Sequence, residues 1–516
     1  MKNLLNILIV IFSMNLYAAP PSAPDRHRGE GPFDRLILRG VIVVNGEGAP
    51  PVGPMDVLIE GNRIKEIRNL GLYRPVAESD RIPVLPGDRV MELGGHYLLP
   101  GFIDMHAHFG GDAQGVPAEY VAKLWMGHGI TTIREPGSFN GLDWVLEHKA
   151  RSEKNEITAP RIIPYVAFGQ GETGPFLTEE ATRQWVRKVA KQGAAGIKFF
   201  GAPANIMRAA LDEAGKQGLG SAMHHAQLDV VNWNALDSAR AGLTSMEHWY
   251  GLPEAMFEDQ VIQDYPLDYN YTNEQDRFGE AGRLWAQTAK PGSEKWNQVR
   301  DELIDLDFTI DPTLTIYEAS RDLMREMNAD WQAEYTPPSL WQFFQPSLKS
   351  HGSYWFDWTT ADEIAWKNNY HIWMQFLNDY KNHGGRVTLG SDAGYIWKLY
   401  GFGYIREMEL LQEAGFHPLE VIRSATFLAA QVLKMDDSIG SVRVGKLADL
   451  VITKENPLAN FKVLYGTGHF RLGADNQPER VGGVEYTIKD GIVYDAKVLL
   501  ADVRKIVSDA KAEAVK

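Results

Sequence analysis

Two histidines with one residue between them close an apolar stretch that begins at Leu98. Because side chains two positions apart on a β-strand point to the same side, His106 and His108 would share one face of a strand. Neutral imidazoles bind divalent metal ions well, so this pair could supply two ligands to one ion. A bare His-x-His is more often a surface or hydrogen-bonded feature, and a metal site therefore requires further ligands from elsewhere in the chain.

Further polar residues close short apolar segments later in the sequence. They are Lys198 in Gly196-Ile197-Lys198, His224 after Ala222-Met223, His248 in Ser245-Met246-Glu247-His248, and Asp392 in Leu389-Gly390-Ser391-Asp392. Imidazole nitrogens and carboxylate oxygens are both common metal ligands. The intervals between these polar residues along the chain are close to whole numbers of strand–helix repeats, except that a longer stretch separates His248 from Asp392.

The central region alternates strand-like and helix-like patterns. The predicted strands are Leu98–Ile103, Thr131–Arg134, Ile162–Phe168, Gly196–Phe199, Leu219–Met223, Leu243–Glu247, Phe308–Thr315 and Arg386–Leu389. Eight strands with helical segments between them predict an α/β protein whose main domain, residues 96–435, is a (β/α)8 TIM barrel. In that fold functional residues lie at the carboxyl ends of the strands, and all the candidate residues fall there.

Both ends of the chain carry short strands with turn signals. Asp56–Glu60 and Arg63–Ile67 are separated by a Gly-Asn pair, which predicts a β-hairpin. Neither end is large enough to bury a core of its own. We therefore predict that residues 33–95 and 436–500 form one small composite β-sandwich domain beside the barrel.

The composition limits the chemistry that the chain can perform. With 52 basic and 67 acidic residues the net charge is −15, which argues against a nucleic-acid partner. The chain has no cysteine, so thiolate nucleophiles and cysteine-based zinc sites are excluded. Any metal must be bound by histidines, carboxylates or a less usual ligand.

The first residues have the features of a targeting segment. Lys2 precedes an apolar run, Leu4–Phe12, and the small residues Ala18 and Ala19 follow it. We predict that residues 1–19 are a signal peptide and that the protein is exported to the periplasm or secreted, free of the membrane after cleavage. The alternative is a retained membrane anchor, although the run is short for a membrane span.

Several motifs together resemble those of the metal-dependent amidohydrolase superfamily. They are Leu99-Pro100-Gly101-Phe102-Ile103-Asp104-Met105-His106-Ala107-His108, Gly129-Ile130-Thr131-Thr132-Ile133-Arg134, Ser245-Met246-Glu247-His248, Gly390-Ser391-Asp392 and the segment Gly440–Thr453. Each motif is weak alone, but the ordered set is specific and extends over nearly the whole chain after the signal peptide. The sequence is most similar to the branch of imidazolonepropionase-like enzymes and Xaa-Pro dipeptidases.

The resemblance implies a centre of two divalent metal ions, with zinc as the expected metal. The implied ligands are His106, His108, Lys198, His224, His248 and Asp392. The first two histidines and the aspartate would bind the more buried ion, and the other two histidines would bind the second. Lys198 would be carboxylated and its carbamate would bridge both ions. Asp392 would also be catalytic, taking a proton from the attacking water and giving it to the leaving nitrogen.

Two of these assignments have alternatives. His224 and His225 are adjacent and must face opposite sides of their strand. The distance from Gly218-Leu219 that is usual in the resembled family favours His224, whereas an alanine usually follows the ligand in that family, which favours His225. We predict His224. Lys198 could instead be a structural or substrate-binding lysine.

Four other residues near strand ends could assist the site. Asp104 is expected to support the histidine ligands and Glu247 to orient one of them. Arg134 could bind a substrate carboxylate and Tyr317 could donate to a carbonyl oxygen. A purely structural role is the alternative for Arg134 and Tyr317, and Glu247 could instead face outward.

An insertion at about residues 250–375 is rich in aromatic residues. It could form a lid that lines an apolar substrate pocket, or it could bury its surface in a contact between subunits of a homo-oligomer.

The resemblance implies hydrolysis of an amide-type C–N bond in a small molecule. Such a substrate would be a dipeptide, an N-acyl amino acid or a cyclic amide. The same centre could instead cleave a lactone or a phosphoester. The third possibility is a non-catalytic binding protein that retains the barrel, and the intact set of candidate ligands argues against it.

Overall fold

The computed structural model describes residues 20–71, 76–348 and 351–514, and the predicted signal peptide lies outside these ranges. The first strands are β1 (Leu36–Val43), β2 (Val52–Glu60), β3 (Arg63–Asn69), β4 (Arg89–Glu92) and β5 (Tyr97–Pro100). They are followed by β6 (Phe102–Asp104), β7 (Ile130–Gly137), β8 (Arg161–Ala167), β9 (Gly196–Phe199), β10 (Gly220–Met223), β11 (Ser245–Glu247), β12 (Thr309–Asp311) and β13 (Arg386–Val387). The last are β14 (Leu450–Thr453), β15 (His469–Leu472), β16 (Pro478–Val481), β17 (Tyr486–Lys489) and β18 (Ile492–Asp495).

Helices connect most of these strands. They are α1 (Ala118–Gly127), α2 (Leu142–Glu153), α3 (Glu179–Gln192), α4 (Ala204–Lys216), α5 (Ala235–Arg240), α6 (Leu252–Ala255), α7 (Glu274–Ala281), α8 (Glu294–Asp305), α9 (Glu318–Arg321), α10 (Leu323–Met327), α11 (Gln332–Tyr335), α12 (Pro338–Phe343), α13 (Thr360–Asn382), α14 (Phe402–Glu413), α15 (Pro418–Arg423), α16 (Ala429–Val432) and α17 (Ala496–Ala514). Short 3₁₀ segments cover Glu78–Asp80, Trp285–Gln287, Leu314–Tyr317 and Phe461–Leu464, and a π-helical turn covers Ser424–Leu428. None of the helices in the described ranges is both long and apolar enough to cross a bilayer.

Strands β6 to β13 form one curled parallel sheet in chain order. Just beyond its first and last strands, the Met105 N–H donates to the Leu389 carbonyl (3.0 Å) and the Asp392 N–H donates to the His106 carbonyl (2.7 Å). These two hydrogen bonds bring the eighth strand back to the first. The predicted (β/α)8 barrel is confirmed, and the carboxyl ends of its strands converge on one mouth.

Strands from both ends of the chain form a second sheet, in the order β18-β17-β14-β5-β1-β2-β3 with β4 also pairing with β1. The junction of the two chain ends is the antiparallel pairing of β5 with β14, in which Leu99 faces Val451. The apolar side chains of this sheet form a core separate from the barrel core. The exact limits of the composite domain stay a prediction.

The predicted first strand, Leu98–Ile103, is wrong in one respect, because its two halves belong to different sheets. Pro100 ends β5 in the flanking sheet and Phe102 begins β6 in the barrel. The chain crosses at Gly101, where a Cβ atom would lie 2.1 Å from Thr131 Oγ1. Only glycine fits that close approach, so the apolar run that leads to the histidines passes from one sheet to the other.

Helix α17 was not predicted from the sequence. It packs on α1, and Asp502 on α17 accepts hydrogen bonds from Lys123 Nζ (2.8 Å) and from Arg28 Nη2 (2.6 Å). The end of the chain and the segment before β1 are therefore both fixed to the outside of the barrel.

Most tryptophans of the insertion lie inside the molecule. Trp285, Trp296, Trp366 and Trp373 are at most 1% exposed. The rings of Trp285, Trp366 and Trp373 pack on Trp249 or Tyr317, which follow β11 and β12, and Trp296 packs on Trp285. These four side chains are therefore available neither to a substrate nor to a second subunit, and the predicted homo-oligomer stays a prediction.

Candidate metal centre

Three of the predicted ligands meet at the junction of the first and eighth strands. Asp392 Oδ1 lies 3.3 Å from His108 Nε2 and 3.5 Å from His106 Nε2. Both histidines are at most 5% exposed. One nitrogen or oxygen from each of the three residues lies within 4.8 Å of the others, so together they could hold one metal ion.

The other two histidines lie beside this group. The ring centroids of His224 and His248 are 4.7 Å apart, and His248 is 5.1 Å from His106. Asp392 also connects the two groups, because its Oδ2 lies 3.7 Å from His248 Nε2. The arrangement would allow a second ion on the more open side of the first.

The structure places the adjacent histidines 224 and 225 on opposite sides of the strand end. His224 faces the mouth, where its ring is 6.0 Å from that of Phe200. His225 is fully buried against α5, and its Nε2 is 2.8 Å from Ser238 Oγ. His225 therefore has a structural partner in the helix layer, and His224 is the residue positioned among the candidate ligands.

The Lys198 amine lies 5.8 Å from the centre of the Phe200 ring at the site. Its Nζ is buried and makes no hydrogen bond to any residue in the described ranges. Burial lowers the pKa of this amine to about 8, although the Glu247 and Asp392 carboxylates act in the opposite direction. An unpaired ammonium is costly in such a place, so the arrangement fits a lysine that is converted to another species.

The donor set fits a pair of divalent ions. Four imidazoles and a carboxylate match the ligand preferences of zinc, and a carbamate on Lys198 would add anionic oxygens between them. A free ammonium could not bind a cation in this position. The residues present are therefore chemically consistent with the expected centre.

Glu247 connects His106 to a buried charge network. Its Oε2 lies 2.6 Å from His106 Nδ1, and its Oε1 accepts a hydrogen bond from Arg134 Nη2 (2.7 Å). Arg134 is 0% exposed and also donates to Ser245 Oγ (2.8 Å). Arg134 therefore holds the interior of the barrel together, and the idea that it binds a substrate carboxylate is wrong.

Asp104 connects the first and eighth strands beneath the histidines. Its Oδ1 accepts from the Ser391 N–H (2.9 Å) and the His106 N–H (3.1 Å), and its Oδ2 accepts from Ser391 Oγ (2.6 Å). Burial raises the pKa of Asp104 to about 7 against these hydrogen bonds. The carboxyl group positions the backbone of both His106 and Ser391.

Three supporting residues were missed in the sequence. Asp311 at the end of β12 lies 3.3 Å from Arg134 Nη2, and Thr313 Oγ1 contacts His248 Nδ1. Gly390 has no room for a side chain, because a Cβ atom would lie 2.5 Å from Asp311 Oδ2. Asp311 ends an apolar segment like the predicted ligands do, and this pattern could have identified it.

The backbone is strained where two candidate ligands leave their strands. His248 has a φ of 61° and Asp392 a φ of 50°, and Thr313 beside them has a φ of 47°. Non-glycine residues rarely adopt this left-handed conformation, and such strain is concentrated at functional sites. The left-handed backbone turns the side chains of His248 and Asp392 toward one another.

The sequence profile of the amidohydrolase family matches residues 97–265 and 373–476, just over half of the chain. The protein therefore belongs to the amidohydrolase family, as the motifs predicted. The stretch from 266 to 372 that the profile does not match lies within the predicted insertion.

Curated relatives match only part of the chain. Adenine deaminase 2 of Rhizobium etli is 29% identical over 161 residues, which is 30% of this chain and 24% of that protein. A dihydroorotase of a Sulfurihydrogenibium species is 28% identical over 201 residues, 37% of this chain and 44% of the relative. The chain thus spans less than half the length of these relatives.

Solved structures match over most of the chain. A Xaa-Pro dipeptidase with bound methionine has a TM-score of 0.57 at 19% identity, and the match covers 89% of this chain and all of that one. A bottromycin amidohydrolase has a TM-score of 0.62 at 18% identity, covering 93% and 91%. Molinate hydrolase has a TM-score of 0.59 at 16% identity, covering 91% and 96%. At these identities the similarity shows a shared fold.

Proposed function

We propose that the protein is an exported hydrolase that uses two zinc ions to cleave an amide-type C–N bond in a small molecule. The observation that carries this proposal is the buried, unpartnered Lys198 amine among four imidazoles and a carboxylate. Carboxylation by carbon dioxide would replace this cation with an anionic ligand. The amidohydrolase family and its hydrolase-fold neighbours support the same reaction class.

When bound, two ions would polarise the scissile carbonyl and lower the pKa of a water molecule to about 7. His106, His108 and Asp392 would hold the more buried ion. His224 and His248 would hold the other, with the Lys198 carbamate between them. The substrate would be a dipeptide, an N-acyl amino acid or a cyclic amide.

Asp392 would move the proton in this reaction. Burial alone would raise the pKa of its carboxyl, but the adjacent His106 and the hydrogen bond from His108 lower it below its usual value. The group is therefore an ionised carboxylate that can accept a proton from water at neutral pH. Protonated Asp392 would then donate to the leaving nitrogen, which departs as a neutral amine.

Metal analysis and rate measurements on one purified preparation test the proposal. We expect about two tightly bound zinc ions per chain and faster hydrolysis of dipeptides and N-acyl amino acids than of lactones or phosphotriesters. A preparation with no tightly bound divalent ion would contradict the metal centre. Faster cleavage of lactones or phosphotriesters would keep the centre and change the reaction class.

Export has its own test. Protein recovered from the periplasm or the medium should begin near residue 20 when its amino terminus is measured by mass spectrometry. An intact first residue on membrane-associated protein would favour the retained anchor.

A further inference from the structure

Arg277 on α7 is a buried arginine whose guanidinium is only partly paired. The residue is 8% exposed, and its Nε donates to Gln227 Oε1 (3.1 Å). Neither Nη1 nor Nη2 donates a hydrogen bond to a residue in the part of the chain that the structure describes. The four N–H groups on Nη1 and Nη2 of this nearly buried guanidinium are therefore left for another acceptor.

The acidic residue nearest to Arg277 is shared with another group. Glu274 Oε1 is 3.6 Å from Arg277 Nη1, which is beyond hydrogen-bond distance. The other oxygen of Glu274 lies 3.0 Å from His351 Nδ1. Glu274 therefore offsets part of the charge without satisfying the hydrogen bonds of the guanidinium.

Arg277 belongs to the rim of the metal site. Gln227, which fixes its Nε, comes three residues after His224 in the same loop. The ring of Tyr250 is 5.3 Å from that of His224 and 6.0 Å from that of Tyr317. Phe278, next to Arg277 on α7, has its ring 6.0 Å from the same Tyr317 ring. The loop that follows a candidate metal ligand thus also holds the arginine in place through Gln227.

Other donors around Arg277 are also unsatisfied. Gln227 Nε2 and the Tyr269 hydroxyl are buried and make no hydrogen bond within the described ranges. The guanidinium carbon lies 4.7 Å from the Tyr271 ring and 5.1 Å from the Phe278 ring, so aromatic groups flank the site. Unpaired donors next to a cation in apolar surroundings form a suitable site for a carboxylate.

We propose that Arg277 and the Gln227 amide bind a carboxylate of the substrate, which makes the preferred substrate an amide with a free carboxylate. This inference rests on the proposed hydrolase function and specifies its substrate class. The family profile ends at residue 265 and resumes at 373, so the arginine lies in the segment that the profile does not match. Exposed Phe139 and Phe200 at the same mouth, each 38% exposed, would contact an apolar acyl group.

The test compares N-benzoylglycine with N-benzoylglycinamide, in which a neutral amide of similar size replaces the carboxylate. Binding is measured by calorimetry on the zinc-loaded protein and on chelator-treated protein, and hydrolysis is measured on the zinc-loaded protein. We expect the wild type to bind the carboxylate at least about 10-fold more tightly than the amide in both forms. If the preference for the carboxylate persists without zinc, binding of the carboxylate to the metal alone is excluded.

Arg277→Gln should reduce this preference to about one, and Arg277→Lys should keep part of it. Gln227→Glu provides a second variant of the same size, in which a carboxylate beside the arginine should compete with the ligand. Arg300→Gln is the matched control, because Arg300 is also 8% exposed and lies on the insertion helix α8. Its guanidinium already donates to Asp301 and Asp379, so its loss should leave the preference unchanged.

The outcomes separate this inference from the proposed function. A wild type without preference, or an unchanged preference in both Arg277→Gln and Gln227→Glu, would overturn the carboxylate site even if amides are hydrolysed. A preference that depends on Arg277 would support the site even if neither compound is hydrolysed, and the amide hydrolase proposal would then be the part in error.

Discussion

The two ring nitrogens of His106 face two different carboxylates. Nδ1 lies 2.6 Å from Glu247 Oε2, whereas Nε2 lies 3.5 Å from Asp392 Oδ1 at the mouth. Neither Nδ1 nor Glu247 Oε2 makes a hydrogen bond within the described ranges, so the pair is a close charge contact. Glu247 therefore acts on His106 through its negative charge, while Nε2 faces Asp392 at the mouth.

Replacing Glu247 with glutamine should weaken metal binding. The variant keeps the shape of the side chain but loses the charge that fixes His106, and we expect an affinity about 10- to 100-fold lower. Competition with a chelator measures this change. Asp311→Asn is the control, because it also removes a carboxylate beside Arg134 and leaves the contact between His106 and Glu247 in place. An equal loss of metal affinity in Asp311→Asn would contradict the role of Glu247 in orienting His106.

The adjacent histidines 224 and 225 offer an internal comparison. His224→Asn should remove one zinc ion per chain, because this side chain faces His248. His225→Asn should keep both ions and lower the free energy of unfolding by about 1 kcal/mol, because it disturbs the hydrogen bond to Ser238. Metal analysis together with denaturant unfolding measures both effects. Loss of metal in His225→Asn alone would reverse the assignment.

Two substitutions of Lys198 separate a bridging role from a structural one. Lys198→Glu supplies an anionic oxygen ligand in place of the carbamate, whereas Lys198→Gln is neutral and of the same size. We expect Lys198→Glu to retain more of the bound zinc than Lys198→Gln, and both to lose at least about 100-fold in rate. Equal zinc content in both variants would instead indicate that Lys198 does not contribute to binding the metal.

The sequence was sufficient to predict the strand ends that carry the candidate ligands. A polar residue that ends a short apolar segment, as His248 and Asp392 do, indicates the mouth of a parallel barrel. The partner of a buried charge could not be predicted in the same way. Glu247 and Arg134 are far apart in sequence and meet because their side chains extend from β11 and β7 into the barrel interior.

The parts that escaped prediction depend on close packing between distant segments. Gly101 redirects the chain between two sheets because Thr131 leaves no room for a side chain. Arg277 was not predicted, because the insertion has no repeat that would place one of its residues relative to the barrel. The tryptophan content of the insertion was evident, but the burial of its rings depends on contacts with Trp249 and Tyr317.

The ion pairs that fix α17 to the barrel should make stability depend on pH in the acid range. Burial acts to raise the pKa of Asp502, but hydrogen bonds from Arg28 and Lys123 lower it to about 2. Because the folded pKa is below the unfolded value of about 3.9, this stabilisation is present above about pH 4 and is lost as the pH falls toward 2. Arg28 is 40% exposed, so solvent screening limits the effect to about 1 kcal/mol.

Asp502→Asn should therefore be less stable than the wild type at pH 7, and the difference should shrink at pH 3 when both are unfolded in urea. Asp509→Asn, which removes a more exposed pair on the same helix, should change little at either pH. A difference for Asp502→Asn that is the same at pH 7 and pH 3 would show that its charge does not stabilise the docked helix.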